Sequence, residues 1–273
     1  MTTYFKFPAG EVHCKIDSNP YRAMPEMIYR PFLRTDNLND YLISCLFEAD
    51  VKHYQTGWSP ALFLPYLPYS RQDRRTSGHE PFAIKVIGNL LNTAPLKNVI
   101  TLDIHSDVAY ACINNLVCIS PLQIWKSTLR DIGVKDKTLV IPDAGAFKKL
   151  ESFSPMFGNT VVALKHRNTD TGRLEVKHVV GEVEGKHCII VDDICDGGMT
   201  FILLANELYA RGAKRVDLMV THGIFSKGFA PLWSAGIGKI YTTDSFEQTE
   251  ATADVQIISC RSIAMKMESG DAL

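Results

Sequence analysis

The chain has 273 residues, with 29 basic and 30 acidic side chains, so its formal net charge is −1. Such a balance argues against binding nucleic acid through bulk charge, and a phosphate-bearing ligand would need local basic residues. No apolar run approaches the roughly 18 residues that span a bilayer, and the first residues lack a secretory-signal pattern. The seven cysteines form no CxxC pair, which argues against a disulfide scaffold or a zinc ribbon. We therefore expect a cytoplasmic protein that binds neither nucleic acid nor membrane.

Apolar runs alternate with polar loops and helical patterns along the chain. In the first half, the pattern predicts a strand at 61–66, a helix at about 82–91 and a strand at 98–103. In the second half, it predicts strands at 139–141, 160–164 and 188–191, then a helix from about 199 to 211. Strands that are apolar throughout and alternate with helices indicate parallel sheets covered on both faces. We predict an α/β fold with two similar domains, 1–122 and 123–273.

An acidic pair, Asp192 and Asp193, follows the predicted strand at 188–191 and precedes a glycine-containing turn and a helix. In open parallel sheets, ligands bind beyond the carboxyl ends of the strands. The turn and the helix N-terminus suit a phosphate, while the carboxylates suit sugar hydroxyls or a hydrated Mg²⁺. An acidic helix cap without any ligand is the alternative for this segment.

Basic side chains follow two other predicted strands. Arg71, Arg74 and Arg75 are close together after the strand at 61–66, and guanidinium groups match phosphate oxygens bidentately. Lys165 and Arg167 enter a polar stretch that we interpret as a mobile loop or hairpin. Two cations on a movable element could stabilise charge on a transferring phosphoryl group. Either group could instead be solvated surface charge.

His105 and Asp143 each stand just beyond a predicted strand, where a histidine is more often structural than a metal ligand. Together with the preceding motifs, they resemble one family, the ribose-phosphate pyrophosphokinases. The resemblance extends over about residues 5 to 265. The segments that resemble family motifs are Phe7–Glu11, Pro68–Arg75, Leu102–His105, Pro142–Gly145, Lys165–Arg167, Asp192–Thr200 and Thr221–Ser226.

The resemblance implies two type I phosphoribosyltransferase-like domains, each a mainly parallel sheet covered by helices. The N-terminal domain would bind ATP, and the C-terminal domain would bind ribose phosphate. The implied reaction transfers the β,γ-diphosphate of ATP to the anomeric hydroxyl of ribose 5-phosphate and releases AMP, with Mg²⁺ as cofactor. The family also implies a homo-oligomer, a dimer or a hexamer, in which subunits share the active site.

Each matching residue acquires an implied role from the resemblance. Lys165 and Arg167 would stabilise the transition state, and His105 and Asp143 would ligate Mg²⁺. The residues implied in ATP binding are Phe7, Glu11, Arg71, Gln72, Arg74 and His105, of which Phe7 and Glu11 would reach the adenine in a neighbouring subunit. The residues implied in ribose-phosphate binding are Asp192, Asp193, Asp196, Gly197, Gly198, Met199 and Thr200.

Three features depart from the family pattern outside the ribose-phosphate loop. Few residues precede Phe7, so we expect the first domain to be shortened at its start. Ala9 stands where the family usually has Asp or Asn, which removes one contact to the base. The residues Met265–Leu273 lack the ending that helps to form the family's regulatory phosphate site, so we do not expect that regulation to be inherited.

A fourth departure concerns the acceptor. The family usually reads D-T-A/C-G-T where this chain has Asp196, Gly197, Gly198, Met199 and Thr200. The change removes a hydroxyl donor and adds a side chain where glycine lets the backbone close around a terminal phosphate. It is either drift or the mark of a pocket for a 5′-substituted ribose phosphate. ADP-ribose is the second candidate acceptor, because some phage-borne members of the family are understood to pyrophosphorylate it; the product would be ADP-ribose pyrophosphate, in NAD metabolism.

Two other classes of function compete with a pyrophosphokinase. A phosphoribosyltransferase would consume the activated sugar, but the Arg71–Arg74 segment and His105 are nucleotide-binding features. A catalytically silent regulatory homologue is disfavoured by the presence of Lys165, Arg167 and Asp143. The sequence leaves the choice between ribose 5-phosphate and ADP-ribose open.

Overall fold

A computed structural model of the chain describes residues 2–16, 27–29, 37–167 and 174–269. The described residues divide into two compact units, the first within 1–119 and 260–273 and the second within 120–259. The two-domain division between residues 122 and 123 stays a prediction. By contacts, the change from one unit to the other falls between Ile119 and Ser120.

The first unit contains a two-stranded hairpin and a four-stranded sheet. In the hairpin, β1 (Thr2–Lys6) pairs antiparallel with β2 (Val12–Ile16). The sheet has the order β3 (Met27–Tyr29), β4 (Ala61–Leu64), β5 (Asn98–Leu102) and β6 (Leu116–Ile119), and its neighbouring strands are parallel. Consecutive side chains of β4, from Leu62 to Leu64, are fully buried, as expected for a strand covered on both faces.

Three helices connect these strands: α1 (Leu38–Thr56), α2 (Ala83–Thr93) and α3 (Val108–Cys112). α1 ends at Gly57, whose φ of 71° is a left-handed conformation that glycine adopts without steric cost. Among the helices in the described ranges, none is both long enough and apolar enough to cross a membrane.

The second unit is built on a seven-stranded sheet. Its order is β13 (Val255–Ile258), β12 (Ile237–Thr243), β11 (Arg215–Gly223), β10 (His187–Cys195), β7 (Thr138–Ile141), β8 (Asn159–Arg167) and β9 (Leu174–Val180). Neighbouring strands are parallel, except that β9 runs antiparallel to β8. The chain moves outward from β7 through β8 and β9, then returns to the other side of β7 with β10. The strand order therefore reverses between β7 and β10.

The helices of the second unit are α4 (Pro121–Asp131), α5 (Ala144–Leu150), α6 (Met199–Ala210) and α7 (Ala230–Ser234). α4 begins with a capping box, in which the Ser120 hydroxyl accepts from the Gln123 N–H and the Gln123 side chain accepts from the Ser120 N–H. Pro121 occupies the first helical position, where its missing N–H has no cost. The last helix, α8 (Cys260–Ser269), belongs with the first unit.

The core of the second unit lies where α6 covers the sheet. Ile190 and Leu218 on the central strands, and Leu204 and Leu208 on α6, are all fully buried in one cluster. Each such side chain contributes roughly 1.5–3 kcal/mol when it leaves water. This packing fixes the position of the loop that joins β10 to α6, and therefore the position of the acidic pair.

The predicted strand at 188–191 is shorter than the strand in the structure. β10 continues to Cys195 because it stays paired with β11, with Ile194 opposite His222 and Cys195 opposite Gly223. The expectation that the acidic pair follows the strand was therefore wrong, since Asp192 and Asp193 lie within β10. Strand pairing holds their carboxylates in place more firmly than a loop would.

Candidate active site

The reversal of strand order places Asp143 and the acidic pair at the same edge of the sheet. Val140 on β7 pairs with Ile190 on β10, and Asp143 and Asp193 each come three residues after that pair along parallel chain segments. Ligands of open parallel sheets bind at such a reversal, beyond the carboxyl ends of the strands. The second unit thus places a candidate metal ligand at the same sheet edge as the carboxylates suggested for the sugar.

The two carboxylates of the pair differ in exposure and in partners. Asp193 is 7% exposed, whereas Asp192 is partly exposed. The Asp193 N–H donates a hydrogen bond of 3.0 Å to Oδ1 of Asp192. Oδ2 of Asp193 lies 3.2 Å from Nζ of Lys149. Since a buried carboxylate is costly unless it is paired, Lys149 stabilises the ionised form of Asp193.

Asp143 is held at the start of α5. Its Oδ1 accepts a hydrogen bond of 2.8 Å from the N–H of Ala146, which makes Asp143 the N-cap residue of that helix. The bond fixes the orientation of the carboxylate at the edge of the sheet. Asp143 therefore has a structural role whether or not it also ligates a metal.

The segment after β11 supports the loop that follows β10. The carbonyl of Cys195 accepts hydrogen bonds of 2.8 and 3.1 Å from the N–H groups of Ile224 and Phe225. Oδ1 of Asp196 accepts a hydrogen bond of 2.6 Å from the hydroxyl of Ser226. Burial raises the pKa of the Cys195 thiol above its usual range, so this side chain is neutral and does not act as a nucleophile.

The unusual loop residues have distinct environments. Gly198 is buried with a φ of 76°, and a Cβ there would lie 3.0 Å from Cδ2 of Leu232. Only glycine fits this position without strain. Gly197 is exposed, and a Cβ there would approach Cγ of Lys227 no closer than 3.8 Å. Met199 is 59% exposed. The loop therefore has space beside Gly197, and the Met199 side chain reaches solvent.

The N-terminus of α6 follows directly, with Thr200 partly buried in the first turn. The N–H groups at a helix N-terminus and the helix dipole attract phosphate. Carboxylates at the end of β10 and a helix N-terminus just beyond them are suited to one ligand with both hydroxyls and a phosphate. A sugar phosphate has this combination.

Lys165 and Arg167 lie on β8, not in a loop. β8 pairs with β7 as far as Val162 and then continues beside β9, with Lys165 opposite Val176 and Arg167 opposite Leu174. The two cations therefore stand on an antiparallel pair of strands at the end of the sheet. The polar stretch that we interpreted as a mobile loop or hairpin, residues 168–173, lies outside the described residues, and the strands on either side of it pair antiparallel.

In the first unit, the candidate ATP ligands follow neighbouring strands. Arg71, Gln72 and Arg74 are exposed in the loop after β4, and His105 is exposed after β5. The Gln72 carbonyl accepts a hydrogen bond of 3.3 Å from the Ile84 N–H, which ties this loop to α2. The structure thus brings these four candidates to one edge of the four-stranded sheet.

Asp73 links the two loops of this edge. Burial opposes ionisation of its carboxylate, but hydrogen bonds from the Ser106 side chain and from Arg74 outweigh it and hold the pKa of Asp73 below its usual value. The Arg74 Nε lies 3.0 Å from Oδ1 of Asp73. Because 77% of the Arg74 side chain is exposed, this ion pair restrains the guanidinium only weakly before a phosphate binds.

Phe7 and Glu11 stand at the tip of the hairpin. The Phe7 N–H donates a 2.7 Å hydrogen bond to the Glu11 carbonyl, and the Phe7 ring is 46% exposed. Phe5 and His13 continue the aromatic face, with ring centroids 5.1 and 6.1 Å from that of Phe7. Such an exposed aromatic face is suited to stacking on a flat ring.

The donors present fit Mg²⁺ only in part. Within the described ranges, no group of three or more His, Cys, Asp or Glu side chains is arranged to hold a metal ion. Mg²⁺ usually keeps several waters and binds one or two carboxylates together with substrate phosphates. The carboxylate of Asp143 suits such an ion, whereas the imidazole of His105 is a softer donor and suits it less well.

Sequence reasoning did not single out Lys149, the role of Ser226 or Lys227. A lysine in a short helix after Asp143 gives no signal by itself, because only the folded structure shows that Nζ of Lys149 lies 3.2 Å from Oδ2 of Asp193. Ser226 is the last residue of the segment Thr221–Ser226, which resembles a family motif. That resemblance indicated that the segment matters, but it did not indicate the contact of Ser226 with Asp196.

The fold defines an α/β protein with two type I phosphoribosyltransferase-like domains, in which the candidate site residues lie at and beyond the ends of parallel strands. Residues 166–265 match the family model described as the phosphoribosyl synthetase-associated domain. A ribose-phosphate pyrophosphokinase of Thermosipho africanus is 30% identical over 258 residues, which cover 93% of this chain and 81% of that protein. One of Mesorhizobium japonicum is 31% identical over 245 residues, covering 86% and 76%.

A solved structure, the phosphoribosylpyrophosphate synthetase from Mycobacterium smegmatis, superposes with a TM-score of 0.85 at 25% identity. The match covers 99% of this chain and 89% of that one. The chain belongs to the ribose-phosphate pyrophosphokinase family and is a transferase of the diphosphokinase type. The family and the fold class predicted from the sequence are both confirmed.

Proposed function

We propose that this chain transfers the β,γ-diphosphate of ATP to the anomeric hydroxyl of a ribose 5-phosphate moiety and releases AMP. The observation that supports this most is the strand-order reversal between β7 and β10, which gathers Asp143, the Asp192–Asp193 pair and the N-terminus of α6. The protein would work in the cytoplasm as a homo-oligomer.

The acceptor would bind at the end of β10. Asp192 and Asp193 would accept hydrogen bonds from the ribose hydroxyls, because ionised carboxylates are acceptors only. The loop from Asp196 to Thr200 and the first turn of α6 would hold the 5′-phosphate. These contacts would fix the anomeric hydroxyl as the nucleophile, so that transfer becomes a matter of positioning.

The nucleotide would bind to the first unit. Arg71, Gln72, Arg74 and His105 would contact its phosphates and ribose, and Phe7 and Glu11 from a neighbouring subunit would contact the base. Each guanidinium can bind two phosphate oxygens at once, which orients the triphosphate chain.

Transfer forms a bond between the anomeric oxygen and the β-phosphorus and breaks the bond from that phosphorus to the oxygen shared with the α-phosphate. The anomeric hydroxyl gives up its proton to solvent water, and the electrons of the broken phosphorus–oxygen bond leave with AMP. Lys165 and Arg167 would stabilise the negative charge that develops on the transferring group. Asp143, with a weaker contribution from His105, would hold Mg²⁺, which when bound neutralises phosphate charge.

Product identity tests the proposal. The protein is incubated with ATP, Mg²⁺ and ribose 5-phosphate or ADP-ribose, and the products are identified by mass. We expect AMP and a 1-pyrophosphorylated sugar in equal amounts, with Asp192→Asn inactive as the control. Formation of ADP and a sugar with a single phosphate added at C1 would contradict the pyrophosphokinase. In a parallel incubation, transfer of the phosphoribosyl group from phosphoribosyl pyrophosphate to an added nucleobase, with release of pyrophosphate, would indicate a phosphoribosyltransferase.

ADP-ribose is the second candidate acceptor because the loop is open beside Gly197. Lys227 lies on that side, with its Cγ 3.8 Å from the position of an added Cβ, and it is exposed. An acceptor whose 5′-phosphate continues into a second phosphate could pass over Gly197 and meet this cation. Lys227→Met should then weaken the binding of ADP-ribose more than the binding of ribose 5-phosphate. Equal losses of affinity for the two would count against ADP-ribose as the acceptor.

A further inference from the structure

The ion pair between Lys149 and Asp193 joins two separate parts of the second unit. Nζ of Lys149 lies 3.2 Å from Oδ2 of Asp193, and the side chains are 26% and 8% exposed. Lys149 lies in the last turn of α5, where the helix dipole favours a cation. Because the contact is partly shielded from water, its Coulombic attraction is screened less than that of a surface ion pair, and removing one partner leaves the other charge without compensation.

The charges around this pair explain why a cation is needed there. Asp192, Asp193 and Asp196 are all on one short stretch, and Asp143 lies at the same edge, just beyond the neighbouring strand β7. A sugar phosphate and a nucleotide bring further negative charge. Without a cation, the buried carboxylate of Asp193 would repel these ligands and would itself be destabilised.

We propose that Lys149 is a positioning residue for the acceptor: it holds the Asp193 carboxylate in one orientation, ready to accept a hydrogen bond from a ribose hydroxyl. Oδ2 is engaged by Lys149, so the carboxylate cannot rotate freely about its Cβ–Cγ bond. The inference rests on the proposed function, because it assigns Asp193 to the sugar.

A positioning role and a purely structural role predict different kinetics. Loss of a structural contact would lower the melting temperature and affect both substrates alike. Loss of a positioning contact would raise the KM and the Kd of the acceptor while leaving the KM of ATP nearly unchanged. A third possibility, direct contact of Lys149 with the nucleotide, would raise the KM of ATP instead.

The experiment uses the full chain with Lys149→Met, Lys149→Arg, Asp193→Asn and the double variant Lys149→Met/Asp193→Asn. Lys148→Met is the matched control, since Lys148 is the exposed neighbour on the same helix. Acceptor Kd is measured by calorimetry with ribose 5-phosphate and with ADP-ribose, and KM values are measured from AMP release. Melting temperatures are recorded for every variant.

We expect Lys149→Met to raise the acceptor Kd by about 10- to 100-fold, as expected for the loss of one charge-assisted contact. The KM of ATP should rise by less than about twofold. Lys149→Arg should restore most of the affinity, and Lys148→Met should match the wild type. The double variant should bind the acceptor no more weakly than Asp193→Asn, because both changes remove the same interaction.

Equal increases in both KM values, an unchanged acceptor Kd, or additive effects in the double variant would overturn the inference. If the wild type binds a sugar phosphate but releases no AMP, the proposed reaction fails, while the acceptor Kd of Lys149→Met still decides the role of Lys149. If the wild type binds neither sugar phosphate, the inference falls together with the proposed function.

Discussion

The hydroxyl of Ser226 donates a hydrogen bond of 2.6 Å to Oδ1 of Asp196, and the N–H of the same residue donates one of 3.2 Å to the Asp196 carbonyl. Two hydrogen bonds from one residue therefore fix the first position of the loop that leads into α6. The carboxylate of Asp196 is oriented before any ligand binds, which reduces the ordering that binding must impose.

We predict that Ser226→Ala raises the KM of the sugar phosphate about three- to tenfold, as expected for the loss of one hydrogen bond of modest net strength. The backbone hydrogen bond remains, so the loop should keep its course and kcat should change little. Ser234→Ala, at an exposed position at the end of α7, is the control. An unchanged KM in Ser226→Ala would show that the orientation of Asp196 does not affect the acceptor.

Lys165 and Arg167 should act mainly in the transition state. We predict that Lys165→Ala and Arg167→Ala each lower kcat by at least about 100-fold with little change in the Kd of ATP, because charge develops only during transfer. Single-turnover rates and equilibrium binding of ATP separate these effects. Lys186→Ala, an exposed lysine just before β10, is the control. A parallel loss of ATP affinity would make the two residues ground-state anchors instead.

Much of the fold could be predicted because its strands are apolar throughout. The runs around Leu62, Val99, Val140 and Ile190 are continuous in the sequence, and each is a buried parallel strand in the structure. The order of the strands could not be read in this way, since a central parallel strand has the same apolar pattern whichever neighbours it takes. The reversal between β7 and β10 is a property of pairing over long distances along the chain.

The candidate site was predictable where its residues are neighbours in the sequence, as in the stretch from Asp192 to Thr200. It was not predictable where a contact joins distant segments. Lys149 meets Asp193, and Ser106 meets Asp73, only because parallel strands bring their ends to one edge. The expected end of β10 was too early for the same reason, because the pairing with β11 extends the strand beyond its apolar run.

The hairpin gives a prediction about assembly. If Phe7 and Glu11 complete the site of a neighbouring subunit, a variant with Phe7→Ala and Glu11→Gln should be inactive alone, and so should Lys165→Ala. Mixing the two variants under conditions that exchange subunits should restore activity, because some sites then receive an intact hairpin and an intact Lys165. Specific activity of the wild type should also fall on dilution through the dissociation range. No recovery on mixing would place the hairpin in its own subunit's site or outside the site.

Asp73 gives a prediction about pH. Its folded-state pKa lies below the ordinary value of 3.8, so its contacts with Ser106 and Arg74 stabilise the ionised form. A carboxyl group whose pKa is lowered by folding contributes stability to the folded state. That stability is fully present when the pH is above the unfolded-state pKa, and it is lost as the pH falls through the folded-state pKa. Asp73→Asn should therefore lower the free energy of unfolding at neutral pH and flatten its decline on acidification. Denaturant titrations at neutral pH and below pH 4 test this; a slope identical to that of the wild type would contradict it.

The acceptor can be decided at the loop itself. The added Cβ of Gly197→Thr would meet nothing closer than 3.8 Å, and Met199→Gly removes an exposed side chain. If the loop is adapted to a 5′-extended acceptor, the double variant should gain about 10- to 150-fold in kcat/KM for ribose 5-phosphate, through one charge-assisted hydrogen bond. Its activity with ADP-ribose should stay the same or fall, because the 5′-phosphate of ADP-ribose continues outward into a second phosphate.

Gly198→Ala is the contrasting variant: the left-handed φ of Gly198 and its contact with Leu232 predict losses of activity with both acceptors. A wild type that strongly prefers ribose 5-phosphate and ignores ADP-ribose would show that the change in the loop is drift.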